Sequence, residues 1–267
     1  MPARWVVSSL LALYALSGCV QVEDLALEEV ACLGHRGHVS ETTFENTLGA
    51  FLAAYNLGAD GTEMDIFHTR DDVAMVFHDR TLAGLTRSKP GENCPDTAGI
   101  GDLSLAELQR QCELKNGEDI PTLESVLQRF NQSDFILYLE FKDPIHNDTV
   151  ALIERYYPEN DDRIQGTSFL KDIVQPPFEG FRVEFPLMLA HREYLAGMES
   201  GFDGVDVGSI SEVHIERLRQ RGKRVGLYGA DSVADLNKAL EHRVNTITTD
   251  ALPLCVQLKQ EALDAAG

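Results

Sequence analysis

Three acidic residues belong to two strand-like runs in the sequence. Glu63 and Asp65 lie two positions apart in Gly61–Phe67, and Glu140 follows the apolar residues Ile136–Leu139. Residues at positions i and i+2 of a strand share one face, so Glu63 and Asp65 are expected to point the same way. Three converging carboxylates repel one another, and a divalent cation would hold them ionised. Because ligation by oxygen alone favours Ca²⁺ or Mg²⁺ over zinc, the pattern predicts a site for one such cation.

Other polar residues follow apolar runs in the same manner. His35 and Arg36 come after Val30–Leu33, His78 comes after a run that ends at Phe77, and Lys142 stands two positions beyond Glu140. If these runs are strands of a parallel barrel, all of these side chains gather at its C-terminal face, where barrel enzymes place their active sites.

Short strand-like runs alternate with helical patterns from residue 30 to residue 250, with no linker or break in composition between them. At a length of 267 residues, this alternation predicts a single α/β domain folded as a (β/α)8 barrel of the TIM type. The strand candidates are Val30–Leu33, Gly61–Phe67, Val73–Phe77, Phe135–Phe141, Arg163–Ser168, Phe185–Ala190, Gly204–Val207, Arg224–Tyr228 and Asn245–Thr248.

Nine strand candidates are one too many for an eight-stranded barrel. The five residues between Gly61–Phe67 and Val73–Phe77 are too few for a parallel crossover, which needs about a dozen residues. The two runs are therefore predicted to form an antiparallel hairpin, which would place His78 beside Glu63.

The sequence resembles the glycerophosphodiester phosphodiesterase family at five motifs, in the family's order and spacing. They are His35-Arg36-Gly37, Glu45-Asn46-Thr47, Glu63-Met64-Asp65, His78-Asp79 and Glu140-Phe141-Lys142. The resemblance extends over residues 30 to 253. It implies a barrel like that of phospholipase C, with a small insertion after the second barrel strand, between Asp79 and Ile120.

The family's reaction, hydrolysis of a glycerophosphodiester to sn-glycerol 3-phosphate and an alcohol, implies a role for each motif. Glu63, Asp65 and Glu140 would bind the metal, and Arg36 and Lys142 would bind the phosphate. His35 and His78 would be the general acid and the general base, in an order that the sequence leaves open.

Two positions depart from the family pattern. Phe44 stands where a proline usually precedes the second motif, and Tyr228 stands where a tryptophan is usual near a late barrel strand. Neither is a predicted metal ligand, so the departures bear on the pocket for the alcohol.

Several other polar residues have simpler interpretations. Glu45 would either support the metal site or cap the helix that follows it. Asp250 is expected to be a structural residue that closes the barrel, and Asp206 is undecided. The remaining strand-end or loop histidines are taken as structural: His38, His68, His146 and His191.

The N-terminus has the pattern of a bacterial export signal. Arg4 precedes an apolar stretch of twelve residues, Trp5–Leu16, which is too short to cross a bilayer of about 30 Å as a helix. Residues 16–19, Leu-Ser-Gly-Cys, resemble a lipobox. We expect a signal peptide over residues 1–18, lipidation of Cys19, a tether over residues 19–29 and the catalytic domain over residues 30–267. An ordinary secretory signal with an incidental Cys19 is the alternative. With a lipid on Cys19, the protein would be bound to the membrane and face the periplasm or the cell surface.

Four cysteines follow Cys19 in a compartment that would be oxidising. Cys94 and Cys112 flank one segment and are the preferred disulfide. Cys32 and Cys255 are expected to be buried apolar residues.

With 43 acidic and 23 basic residues, the chain has a formal charge of −20, which argues against a nucleic-acid partner. The oligomeric state cannot be deduced from the sequence.

Three functions fit the motifs: a glycerophosphodiesterase, a phospholipase D-like enzyme acting on lysophospholipids or sphingomyelin, and an inactive surface lipoprotein that binds a ligand.

Overall fold

The computed structural model describes residues 25–158, 161–169, 187–190, 202–209 and 211–267. These ranges contain the following strands: β1 (Ala31–Gly34), β2 (Gly61–His68), β3 (Ala74–Val76), β4 (Thr86–Ser88), β5 (Cys112–Leu114), β6 (Ile136–Phe141), β7 (Ile164–Ser168), β8 (Leu187–Ala190), β9 (Gly204–Val207), β10 (Arg224–Tyr228) and β11 (Thr246–Thr249).

Eight parallel strands form a closed ring in the order β1, β2, β6, β7, β8, β9, β10 and β11. The ring closes where β1 pairs with β11 on one side and with β2 on the other, through Leu33↔Thr248 and Leu33↔Gly61. The predicted (β/α)8 barrel is therefore confirmed. Its C-terminal face gathers the ends of β1, β2 and β6, which carry the motif residues.

The ninth predicted strand, β3, pairs antiparallel with β2, with Ile66 opposite Val76. This confirms the predicted hairpin. The Phe77 amide donates to the Asp65 carbonyl over 2.9 Å, so the chain leaves β3 alongside the acidic end of β2. The hairpin therefore delivers His78 to the C-terminal face.

Within the described ranges, helices follow most of the barrel strands, and one helix lies in the insertion. They are α1 (Leu48–Leu57), α2 (Leu105–Gln111), α3 (Leu123–Phe130), α4 (Asn147–Tyr156), α5 (Glu212–Arg219), α6 (Val233–Glu241) and α7 (Leu252–Ala266). Thr47, Ser104 and Thr122 each accept a backbone hydrogen bond as the N-cap of the next helix. Gly58 ends α1 at φ 86°, a left-handed conformation that glycine adopts without steric cost.

The insertion between β3 and α3 has its own small core. β4 and β5 pair antiparallel there, and Leu82, Ile100 and Leu108 are buried beside them. Cys94 and Cys112 form a disulfide within the insertion. The sequence did not predict β4 or β5, because strands of three residues are too short to show a period.

A second disulfide joins Cys32 on β1 to Cys255 on α7, across 223 positions of sequence. The expectation that these cysteines are unpaired apolar residues is therefore wrong. Both are fully buried, as expected, but barrel closure places the last helix against the first strand, so that the two thiols meet. All four cysteines of the described ranges are paired.

No helix within the described ranges is long and apolar enough to span a bilayer. The predicted signal peptide, Cys19 and His191 lie outside these ranges.

Candidate active site

Three carboxylates meet at the C-terminal face of the barrel. Glu63 and Asp65 extend from β2 and Glu140 from β6, and an oxygen atom from each lies within 4.8 Å of the others. Asp65 and Glu140 are register partners on adjacent strands, which explains how two motifs 75 residues apart come together. All three side chains are buried. The predicted metal ligands therefore form one cluster.

The electrostatics of this cluster are those of a cation site. Burial, together with the charges of Asp65 and Glu140, raises the pKa of Glu63 well above its usual value. Burial also raises the pKa of Glu140. Glu63 Oε1 is buried and has no hydrogen-bond partner among the described residues. A hard divalent cation fits such an all-carboxylate set, because it would neutralise the repulsion and occupy the free oxygen.

Lys142 borders the cluster and partly offsets its charge. Its ammonium lies 2.8 Å from Asp65 Oδ1 and also contacts Glu140 Oε1. Burial opposes ionisation of Asp65, but Lys142 and Arg36 outweigh this effect and hold the pKa of Asp65 below its usual value. Although burial lowers the pKa of Lys142, the charges of Asp65 and Glu140 raise it overall, so Lys142 remains a cation.

Arg36 is held on the other side of Asp65. Its Nε lies 3.3 Å from Asp65 Oδ2, and its Nη1 donates to Glu45 Oε1 over 3.0 Å. The backbone at Arg36 has φ 56°, which turns its amide toward Glu63 Oε2 at 3.0 Å. Arg36 thus contacts two of the predicted metal ligands.

The second motif contributes to the site as well as to the start of α1. Thr47 is the N-cap, so Glu45 does not cap the helix, and its contact with Arg36 favours the supporting role. Asn46 donates from Nδ2 to Asp65 Oδ2 over 2.8 Å and accepts from the Asp65 amide at Oδ1. Sequence reasoning assigned Asn46 no function, although the motif itself was the signal.

Both candidate catalytic histidines are half-buried and contact a carboxylate through Nδ1. His35 Nδ1 lies 2.8 Å from Asp250 Oδ1, and His78 Nδ1 lies 2.8 Å from Asp79 Oδ1. A carboxylate at Nδ1 favours the tautomer with its proton there, which leaves Nε2 for proton exchange. Asp250, expected to be a structural residue, also contacts His35, which the sequence did not predict.

His68 and His146, which the sequence analysis interprets as structural, contact groups outside the carboxylate cluster. His68 is buried, with Nδ1 2.6 Å from Asp143 and Nε2 2.7 Å from Thr149. The ring of His146 stacks on that of His68, with centroids 4.0 Å apart.

Asp206, undecided from sequence, lies inside the barrel on β9. It is buried and accepts a hydrogen bond from the Tyr138 hydroxyl over 3.3 Å. Burial, followed by the nearby charge of Glu140, raises the pKa of Asp206 to about 7. Asp206 is therefore a neighbour of the carboxylate cluster rather than a member of it.

The arrangement has the components needed to cleave a phosphodiester. A carboxylate cluster can hold a cation, two basic side chains lie against it, and two oriented histidines can exchange protons.

Known proteins resemble this chain in both sequence and fold. Residues 35–159 match the model of the glycerophosphoryl diester phosphodiesterase family. A glycerophosphodiester phosphodiesterase of Caldanaerobacter subterraneus is 35% identical over 119 residues, which cover 42% of this chain and 45% of that protein. The chain spans less than half the length of this relative and of two further curated relatives.

Solved structures resemble the chain over almost its whole length. The glycerophosphodiester phosphodiesterase of Thermotoga maritima superposes with a TM-score of 0.64 at 25% identity, covering 86% of this chain and 98% of that one. An Oleispira antarctica phosphodiesterase, solved in complex with the product sn-glycerol-3-phosphate, superposes with a TM-score of 0.67 at 19% identity, covering 88% and 96%. The chain is thus similar to glycerophosphodiester phosphodiesterases in sequence through its first half and in fold through most of its length.

Proposed function

We propose that this protein is a metal-dependent glycerophosphodiesterase, which hydrolyses glycerophosphodiesters to sn-glycerol 3-phosphate and an alcohol. The observation that carries the proposal is one juxtaposition. The carboxylates of Glu63, Asp65 and Glu140 lie within 4.8 Å of one another, and two histidines with carboxylate partners stand at the same face of the barrel.

Glu63, Asp65 and Glu140 would hold one divalent cation, Ca²⁺ or Mg²⁺. When bound, such a cation neutralises charge on a phosphate oxygen and stabilises the charge that develops as the P–O bond breaks. Arg36 and Lys142 lie against the same carboxylates, so both can bind the remaining phosphate oxygens.

His35 and His78 would exchange the protons of the reaction. One accepts a proton at Nε2 from the attacking water, and the other donates a proton to the alkoxide that leaves phosphorus. Asp250 and Asp79 hold these rings by their Nδ1 atoms, which orients Nε2 toward the reacting groups.

The test is product analysis with two soluble substrates, glycerophosphocholine and lysophosphatidylcholine. We expect release of sn-glycerol 3-phosphate and choline from glycerophosphocholine, and loss of that release in His35→Ala. Preferential release of choline from lysophosphatidylcholine would instead favour the phospholipase D-like function. Binding of glycerophosphocholine without turnover would favour an inactive lipoprotein.

We also propose that the protein is exported and anchored to the membrane through a lipid on Cys19, with residues 1–18 removed. Two disulfides within the described residues support an oxidising compartment. Cys19→Ala should move the protein out of the membrane fraction without changing turnover of glycerophosphocholine. A Cys19→Ala protein that still sediments with membranes would contradict this anchor.

A further inference from the structure

A cavity of about 390 Å³ opens on the His78 side of the carboxylate cluster. Its lining includes Glu140, Lys142 and His78 of the candidate active site, together with Arg80 and Phe169. Phe169 is 45% exposed, so the cavity reaches solvent there. It therefore extends from the reacting centre to the protein surface.

The charged groups of this cavity are paired, with one exception. Glu140 contacts Lys142, and Asp79 contacts His78. Arg80 forms no side-chain hydrogen bond or ion pair in the part of the chain that the structure describes. Among the described residues, no acidic side chain neutralises its guanidinium, so the positive charge is available to a ligand in the cavity.

The loop that carries Arg80 is fixed by the insertion. The Leu82 amide donates to the Ala98 carbonyl over 2.8 Å, and a Cβ atom at Gly99 would lie 2.7 Å from the Arg80 carbonyl oxygen. The disulfide between Cys94 and Cys112 closes the same insertion. Because this backbone is held, the base of the Arg80 side chain is positioned before a ligand arrives, and less entropy is lost on binding.

We infer that the cavity receives the alcohol part of the substrate, and that Arg80 selects diesters whose alcohol carries an anionic group, a phosphate or a carboxylate. This inference rests on the proposed function. The glycerol part is the same in every glycerophosphodiester, whereas the alcohol part varies in size and needs room that opens to solvent. A guanidinium binds phosphate and carboxylate oxygens through paired donors, and it repels a quaternary ammonium.

Two substrates that differ by one phosphate test the inference: glycerophosphoinositol and glycerophosphoinositol 4-phosphate. In the wild type at low ionic strength, we expect kcat/KM to be about two- to fivefold higher for the phosphorylated substrate. Added salt should reduce that ratio, because it screens an exposed ion pair.

Arg80→Gln should reduce the ratio of the two kcat/KM values to near one. Arg155→Gln is the control, since Arg155 is an exposed arginine near the end of α4 that does not line the cavity, and it should keep the wild-type ratio.

Three other outcomes would contradict the inference. An equal fall in kcat/KM for both substrates in Arg80→Gln would show that Arg80 binds the scissile phosphate, and would overturn the inference. An unchanged ratio in Arg80→Gln would overturn it as well. A wild-type protein that hydrolyses neither substrate, nor glycerophosphocholine, would overturn the proposed function, and the inference with it.

Discussion

Asp250 lies at the end of the last barrel strand, yet its carboxylate is 2.8 Å from Nδ1 of His35, 215 positions earlier in the sequence. The contact crosses the seam where β1 pairs with β11, so closure of the barrel and orientation of a candidate catalytic ring depend on the same strand pair.

Asp250→Asn should lower kcat by about one to three orders of magnitude, because the His35 ring would lose the carboxylate that fixes its tautomer. Metal affinity should be unchanged. The decisive measurement is a double variant: if Asp250 acts through His35, then His35→Ala/Asp250→Asn should be no slower than His35→Ala alone. Fully additive losses would show that Asp250 acts independently of His35.

A metal titration should distinguish substitutions of the carboxylates from a substitution of His35. Glu63→Gln and Glu140→Gln should weaken Ca²⁺ or Mg²⁺ binding by about tenfold or more, because each removes a charged ligand from a cluster of three. His35→Ala should bind the metal normally, yet lose about two to four orders of magnitude in turnover. Calorimetry of each variant measures the affinity. Equal loss of metal binding in His35→Ala would mean that His35 is a ligand.

The disulfide between Cys32 and Cys255 should dominate covalent stabilisation of the barrel. Its removal in Cys32→Ala/Cys255→Ala should lower the free energy of unfolding by about 2–5 kcal/mol, because the bond closes a very long loop of the unfolded chain. Unfolding of the double variant and of the wild type in guanidinium chloride measures this loss of stability.

Removal of the Cys94–Cys112 disulfide should lower the free energy of unfolding by less. This bond closes a loop of 18 positions, which restricts the unfolded chain less than a loop of 223 positions does. An equal or larger loss in Cys94→Ala/Cys112→Ala would contradict the role of loop length.

Asp206 should make the metal-free protein less stable as pH rises. Its pKa is raised by burial from 3.8 to about 7 in the folded state, so folding favours the neutral carboxyl. The stabilisation is complete below pH 3.8 and is lost as pH rises through 7. Relative to the wild type, Asp206→Asn should therefore gain stability between pH 4 and pH 8, by up to about 4 kcal/mol. Urea unfolding of both proteins across this range measures the difference, and a difference independent of pH would contradict the raised pKa.

Local patterns predicted much of the fold and site, because they depend on residues close in sequence. Alternating apolar runs identified the barrel strands, and a connection of five residues identified the β2–β3 hairpin. Same-face spacing placed Glu63 and Asp65 together, and both belong to the cluster that the structure shows.

The sequence did not predict the contacts that depend on closure of the barrel. Two contacts join the first barrel strand to the C-terminal part of the chain: the disulfide Cys32–Cys255 and the contact of His35 with Asp250. A pattern of neighbouring residues does not predict contacts between residues so far apart in sequence. Asn46 was missed for a different reason: its amide reaches Asp65 from a residue at φ 55°, a turn geometry that the sequence does not specify.

The most direct test measures hydrolysis of glycerophosphocholine by the wild-type protein before chelation, after exhaustive chelation with EDTA, and after Ca²⁺ or Mg²⁺ is restored. Three buried carboxylates without a cation repel one another, and they leave the phosphate without a charge to neutralise it. We expect chelation to abolish release of sn-glycerol 3-phosphate and either Ca²⁺ or Mg²⁺ to restore it, with no restoration in Glu63→Gln at the same metal concentration. Full activity after exhaustive chelation would contradict a metal-dependent site at Glu63, Asp65 and Glu140.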